Sequence, residues 1–312
     1  MTDTTPYLLT GVGGGFSSVS RLVADLLISR GEPVRAMIHH DDGRADALRA
    51  LGAEIVVGDL TRPGNVVEAM RGVTRVFFNM SVSPDYLEAA TAVCAIAHDR
   101  GDLEVLVNMS QMTVSQMTST STQESRHQRL HWLAEQIMNW SGVPVVHVRP
   151  TVFLDNPLFT MLASQSVAER GVVALPFGSG RTSPIAATDV ARVVAAILQH
   201  PAEHVGHVYE LTGPAVLDID GLAEQYARAL HRPVSGTDLP YDSFAKRIGA
   251  MPGISPHTRQ HILTMAKLHR ADRYNRLTGD VEKVTGQPPQ SVEEYIAAHR
   301  NVFSTTSGHS RI

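Results

Sequence analysis

Tyr7-Leu8-Leu9-Thr10-Gly11-Val12-Gly13-Gly14-Gly15-Phe16-Ser17 decides the fold: a short apolar run followed at once by four glycines in five positions. A strand that turns tightly into a helix needs residues free to adopt positive φ, and a backbone that approaches a pyrophosphate needs positions without a Cβ. The helix expected next, over residues 17–30, would aim its N-terminus at that phosphate. Written as Gly11-x-x-Gly14-x-x-Ser17, or as Gly11-x-Gly13-x-x-Phe16, the pattern lacks its third glycine. An ordinary glycine-rich loop is the alternative, and the position of the turn at the head of a βαβ series argues against it.

That series runs outward from the turn. Apolar runs at residues 7–10, 34–38, 54–57, 75–79, 104–109 and 145–149 read as strands. Segments of helical period lie between them at 17–30, 44–51, 64–71, 85–100 and 122–141. Six strands and five helices give the α/β class, a doubly wound parallel sheet of the Rossmann type over residues 1–150. Ser121 and Glu124 are spaced as a capping box for the last of these helices, Ser141-Gly142-Val143-Pro144 ends it, and Leu130, Leu133, Ile137 and Trp140 read as its core stripe. Residues 151–303 are expected to form a smaller, mostly helical substrate lobe, with helices at 158–170, 187–199 and 219–230. Short strands at 172–175 and 208–211 would in part return to the core, and 241–276 reads as helix broken at Pro252 and Pro256. The tail, 304–312, is expected to be flexible.

A chain of 312 residues with 43% hydrophobic content can bury a sizeable core. Its formal charge of -4, without a basic cluster, speaks against direct nucleic-acid binding. Cys94 is the only cysteine, so neither a disulfide framework nor a cysteine-rich zinc site can form. No apolar run approaches the roughly 18 residues that span a bilayer, and Met1 to Pro6 is short and polar. A soluble, cytoplasmic protein with no membrane contact is the expectation.

Cofactor choice should be set past the second strand, at His39-His40-Asp41-Asp42. An acid there would accept from the ribose 2′-OH of NAD, whereas a donor would meet the 2′-phosphate of NADP. The two histidines tip the choice toward NADP(H), and Asp41 keeps NAD(H) open. Four solvated loop residues are the plain alternative. At the end of the third strand, Gly58-Asp59-Leu60 stands where an adenine edge would lie; Asp59 serves there as an acceptor or as a bare helix cap.

The sequence resembles the NmrA-like group of atypical short-chain dehydrogenases/reductases. The resemblance rests on Leu8-Leu9-Thr10-Gly11, Gly58-Asp59-Leu60, Val107-Asn108-Met109-Ser110 and Val148-Arg149-Pro150-Thr151-Val152-Phe153. Ile185-Ala186-Ala187-Thr188-Asp189-Val190-Ala191 and Tyr209-Glu210-Leu211-Thr212-Gly213 extend it across most of the chain. It implies a nucleotide cofactor, with Asn79, Met80 and Ser81 along it and Pro150, Thr151 and Phe153 at its nicotinamide end. The group includes quinone and dye reductases, natural-product reductases and NADP-binding regulators.

Ordinary members of the wider family pair a serine with a tyrosine and a lysine four residues later. Here no tyrosine is followed four residues on by lysine, and the only lysines are Lys246, Lys267 and Lys283. Ser110 stands in the serine position, with His127 in place of the tyrosine and His131 in place of the lysine. Residues four apart on a helix share a face, and imidazoles titrate near neutrality. Ser110 and His127 would then orient or protonate a carbonyl while His131 holds the ribose. Two half-exposed helix histidines are one alternative. A zinc pair is another, although Gln128 stands where the metalloprotease helix needs glutamate, and no third ligand presents itself. Gln111, Met112, Phe153, Phe244, His261 and Met265 are the candidate substrate contacts; Met109, Met117 and His269 lie near them in the sequence pattern.

These features point to an NAD(P)H-dependent reductase acting on a ketone, quinone or related conjugated small molecule without the usual tyrosine and lysine. An NADP(H)-sensing regulator without turnover and a non-redox isomerase or cyclase are the alternatives. A homodimer and a regulatory protein partner both stay open.

Overall fold

The structure is a computed structural model that describes residues 5–13, 18–156 and 158–303. Gly14, Gly15, Phe16 and Ser17 of the glycine turn, and the 304–312 tail, lie outside the described residues. The strands of the first half are β1 (Tyr7–Leu9), β2 (Val34–Ile38), β3 (Glu54–Val57), β4 (Arg75–Phe78), β5 (Val105–Met109) and β6 (Val145–Pro150). Two strands follow in the second half, β7 (Val172–Leu175) and β8 (Val208–Leu211). Seven of them form one parallel sheet in the order β3-β2-β1-β4-β5-β6-β8. The winding reverses between β1 and β4, and the crevice outside the carboxyl ends of strands at such a point is where ligands of open α/β sheets bind.

Both faces of the sheet are covered, which is why its strands read as continuous apolar runs rather than alternating ones. On one side lie α1 (Val19–Ser29), α2 (Gly43–Ala50) and, from the second half, α7 (Ala187–Gln199). Their Val23, Leu27, Leu48, Val190 and Val194 share a core with Leu9, Val105 and Val107. On the other side α3 (Pro63–Met70), α4 (Tyr86–Arg100) and α5 (Arg126–Trp140) bury Val66, Val93 and Leu130 with Leu8 and Leu106. Leu9 and Leu8 thus go to opposite cores, as successive strand residues must.

The mostly helical C-terminal part contains α6 (Ser164–Arg170), α8 (Ile219–Leu230), α9 (Tyr241–Ala250), α10 (Pro256–Arg270), α11 (Asp280–Thr285) and α12 (Val292–Ala298). A two-stranded parallel sheet of β7 with β9 (Ser235–Asp238) lies within it. Phe159, Phe177, Tyr226, Phe244 and Ile296 belong to a separate core there. Among the described residues no helix is long and apolar enough to cross a membrane.

Several local expectations are corrected. Helix α5 starts at Arg126 rather than near Thr122, because Ser125 and Gln128 form the capping box: Ser125 Oγ accepts from the Gln128 N–H at 3.1 Å and Gln128 Oε1 from the Ser125 N–H at 2.8 Å. Glu124 is instead drawn to Arg273 at 3.1 Å, and Ser121 Oγ accepts from the Thr118 N–H. The buried stripe of α5 is Leu130, Ala134 and Met138, four residues apart; Trp140 is 78% exposed. Pro256 opens α10 behind the N-cap Ser255 rather than breaking it, as its missing N–H allows at a first helical position. The helix expected over 158–170 begins as a π-helix, Leu158–Ala163, before α6.

Candidate active site

Gly11 closes the turn after β1 with φ at +69°, and a Cβ there would fall 2.6 Å from the Asn79 carbonyl oxygen. The approach is fixed by Thr10, whose Oγ1 donates to Asn79 O at 2.7 Å and accepts from Asn79 N at 2.9 Å. Asn79 Nδ2 donates to Ser20 Oγ at 2.9 Å, tying the end of β4 to the first turn of α1. The ends of β1 and β4 are therefore held at the switch point by side-chain bonds that require glycine between them.

Beside Gly13 lies a cavity of about 230 Å³, lined also by His39, His40, Asp42, Arg44 and Ser81. His39 and His40 are exposed and meet edge to face, with centroids 4.3 Å apart. Arg44 was not anticipated: its guanidinium donates to Gly13 O and to both Asp42 oxygens, and this pairing lowers the Asp42 pKa to about 2. Asp41, by contrast, pairs with Arg49 at 2.8 Å and does not line the cavity. Asp59 accepts from the Thr61 N–H at 2.9 Å and hydroxyl at 2.8 Å, forming a turn ahead of α3 rather than its cap, which is Arg62. Neither Asp59 nor Leu60 lines a cavity described here.

A second cavity, about 200 Å³, opens at the carboxyl ends of β4, β5 and β6. Asn79 and Met80 follow β4 into it, Ser110, Gln111 and Met112 follow β5, and Pro150 ends β6 with Thr151 and Phe153 after it. Helix α5 contributes His127 and His131, and α10 contributes His261 and Met265. The residues singled out in the sequence for catalysis and substrate contact thus converge on one space, while Gly13, His39, His40 and Ser81 line the first cavity. Phe244 is the exception: it is completely buried in the C-terminal core and lines neither this cavity nor its neighbour. His269 also stays in the core, stacked between Phe177 and Tyr274. Tyr274 and Asn156 line the cavity and were missed, since both come from the irregular second half, where periodicity carries no signal.

Three buried polar atoms of this cavity's residues have no hydrogen-bond partner among the described residues: Ser110 Oγ, Thr151 Oγ1 and His131 Nδ1; the His127 ring, by contrast, is met by a Ser83 backbone group. Buried polar groups are almost always paired, so three orphans around one space mark a place for a polar ligand. The two histidines are buried rather than half-exposed, and their Nε2 atoms are 3.1 Å apart. Burial, then the neighbouring His131, His261 and His257, drives the His127 pKa far down, with a Ser83 backbone group acting in the other direction. Burial, then His261, lowers His131 to about 3. The near-neutral titration expected of both is therefore lost, and both are neutral at pH 7. Their shared hydrogen bond uses one ring N–H and one lone pair, which leaves one Nδ1 as a donor and the other as an acceptor. Behind them Tyr86 lies 4.0 Å from the His131 ring centroid to centroid and donates to Met109 O at 3.0 Å, fixing the wall. No group of three or more His, Cys, Asp or Glu among the described residues is arranged to hold a metal ion.

A family model described as NAD(P)H-binding matches residues 14–201. The chain belongs to the NAD(P)H-binding family. It is 27% identical over 294 residues to an NAD(P)H azoreductase of Xenophilus azovorans, covering 94% of this chain and 98% of the relative. Its fold is that of an NADPH-dependent quinone oxidoreductase from Escherichia coli complexed with NADPH, with a TM-score of 0.80, 19% identity, and coverage of 95% of this chain and 100% of that one. NmrA, a negative transcriptional regulator, in complex with NADP gives a TM-score of 0.77 at 16% identity, over 95% of each chain. The doubly wound sheet and the NmrA-like resemblance stand on these matches together with the strand order.

Proposed function

We propose that the protein is an NADP(H)-dependent reductase that delivers hydride to a quinone or a related conjugated carbonyl compound. The observation that carries this is the set of three orphaned atoms around the central cavity, on Ser110, Thr151 and His131. Their surroundings fit the nicotinamide end of the cofactor, and the open side of the glycine turn at Gly13, where a Cβ would meet nothing within 4 Å and a cavity lies beside the backbone, fits its pyrophosphate. Arg44, in the cavity with Gly13, His39, His40 and Ser81, is placed to meet a 2′-phosphate and supports NADP(H) over NAD(H). The cofactor, when bound, supplies the hydride.

The chain's own contribution is to polarise and orient. Ser110 Oγ–H donates to the acceptor oxygen as charge develops on it, in a site where burial strengthens the bond. His127 spends its Nδ1–H on the Ser83 backbone group, and the lone pair left on His131 Nδ1 accepts a hydrogen bond from a ribose hydroxyl. Because both imidazoles are neutral, neither delivers a proton as an imidazolium. A quinone reduced by hydride leaves as a stabilised phenolate that takes its proton from water, so the missing tyrosine and lysine are no obstacle for that substrate class.

The test is nicotinamide absorbance followed with a panel of quinones, azo dyes, enones and simple ketones. Turnover with quinones that falls on Ser110→Ala and on His127→Phe supports the proposal. Tight NADPH binding with no turnover across the panel would favour the sensor instead, as NmrA's role as a regulator illustrates. Conversion of a substrate with NADPH unchanged would favour a non-redox enzyme.

A further inference from the structure

The polar cavity does not end at the reacting groups. Val82, Asn156, His261 and Met265 line both it and a second, larger cavity of about 410 Å³. The walls of the larger space include Leu158, Met161, Leu162, Ile248, Met251 and Ile262, and among the described residues no Asp, Glu, Lys or Arg lines it. A volume of that order is many times the ~30 Å³ share of one water and far above the voids that packed cores tolerate. Leu158, Met161 and Leu162 come from the π-helix, a rare form of turn that is frequent at functional sites. Met161 is 37% exposed, so the lining reaches solvent.

His261 stands at the boundary, and its protonation is legible. Ser125 Oγ accepts from the Gln128 N–H, and the acceptor left for its own hydrogen among the described residues is His261 Nδ1, at 2.9 Å. The imidazole proton is then on Nε2. Burial and the nearby His257 lower the His261 pKa to about 4, so the group is neutral at pH 7. The larger cavity therefore offers uncharged, flexible, mainly aliphatic walls, with the polar groups of His261 and Asn156 at its junction with the polar one.

We infer that the substrate is two-part: a reducible carbonyl head beside Ser110, and an uncharged hydrocarbon tail that occupies the cavity walled by Leu162, Ile248 and Ile262. The head rests on the reductase proposal; the tail does not. Aliphatic and methionine walls accommodate a flexible chain, and the absence of any countercharge penalises a charged one. Each buried methylene contributes about 0.8 kcal/mol, about fourfold in affinity.

The experiment titrates alkyl-substituted benzoquinones of increasing chain length into the full-length protein saturated with NADP+, by calorimetry, with NADPH oxidation followed separately. Kd should tighten by about fourfold per added methylene until the space is filled, and a terminal carboxylate or trimethylammonium should cancel the gain. Ile262→Asp should flatten the slope; if that variant does not fold, Met251→Gln, on the partly buried wall, should reduce it. A Kd independent of chain length, or a carboxylate-ended tail bound as tightly as a methyl-ended one, overturns the inference. A slope in Kd without turnover supports the tail and counts against the reductase, whereas turnover without a slope does the reverse.

Discussion

Replacing Ser110 with alanine should make the protein no less stable and much less active. Ser110 is 3% exposed, its N–H is bonded to Val148 O at 2.8 Å, and its hydroxyl has no partner among the described residues. An unsatisfied buried hydroxyl costs about 1–3 kcal/mol, and alanine removes it while keeping the Cβ and the backbone bond. The ligand-free variant should therefore match the wild type in urea unfolding or exceed it by ~1 kcal/mol. In the transition state the hydroxyl donates to an oxygen gaining negative charge, a bond worth about 1.5–3 kcal/mol, so kcat/KM should fall by roughly 10- to 150-fold. Ser125→Ala is the control. That serine is equally buried but has the Gln128 N–H and His261 as partners, and its loss should cost about 1–2 kcal/mol of stability. Ser110→Ala losing 1 kcal/mol or more while keeping kcat/KM would refute the reasoning, because the hydroxyl would then be structural.

Arg44→Ala should raise the Kd for NADPH by about tenfold or more and leave NADH nearly unaffected, since only the 2′-phosphate needs the guanidinium; paired calorimetric titrations decide it. Gly11→Ala should lower Tm and abolish nucleotide binding, because φ of +69° and a Cβ 2.6 Å from Asn79 O cannot both be accommodated without moving β4. Stability should also depend on pH with a definite sign. His131 and His261 are lowered to about 3 and about 4 from an ordinary 6.5, so below about pH 6.5 the unfolded chain takes up protons that the folded chain refuses. Stability is fully present above that pH and declines as pH falls toward 4, by about 1.4 kcal/mol per unit for each histidine. His131→Asn should reduce that slope by one proton in urea unfolding followed from about pH 6 to pH 5.

The sheet was legible because most residues of β1, β2, β4, β5 and β6 are buried and mainly apolar, and the edge strand β3 is still β-branched at three of four positions; all six lie within a residue of their expected bounds. Strand β9, Ser-Gly-Thr-Asp, carries no such run and pairs only with β7, so nothing in its composition announces it. The central cavity was also legible, because strand ends place residues reliably: Asn79, Ser110 and Thr151 each follow a sheet strand. Arg44 escaped notice because it folds back across the helix start to Gly13, a contact set by tertiary placement and not by spacing. Phe244 was misjudged because the helical pattern identifies an apolar side chain without saying whether it faces a cavity or the core. Trp140 likewise sits one residue past the last turn that packs, at the end of α5. The neutrality of His127 and His131 depends on burial among four histidines from α5 and α10, which no local sequence rule conveys.

A crystal structure of the protein grown with NADP+ tests the account most directly. The nicotinamide should lie beside Pro150 and Thr151 with its reactive carbon open toward Ser110 and His127, and the 2′-phosphate should lie within hydrogen-bond distance of Arg44. A nicotinamide directed away from Ser110 and His127, or a nucleotide bound outside the Gly11 turn, would contradict it.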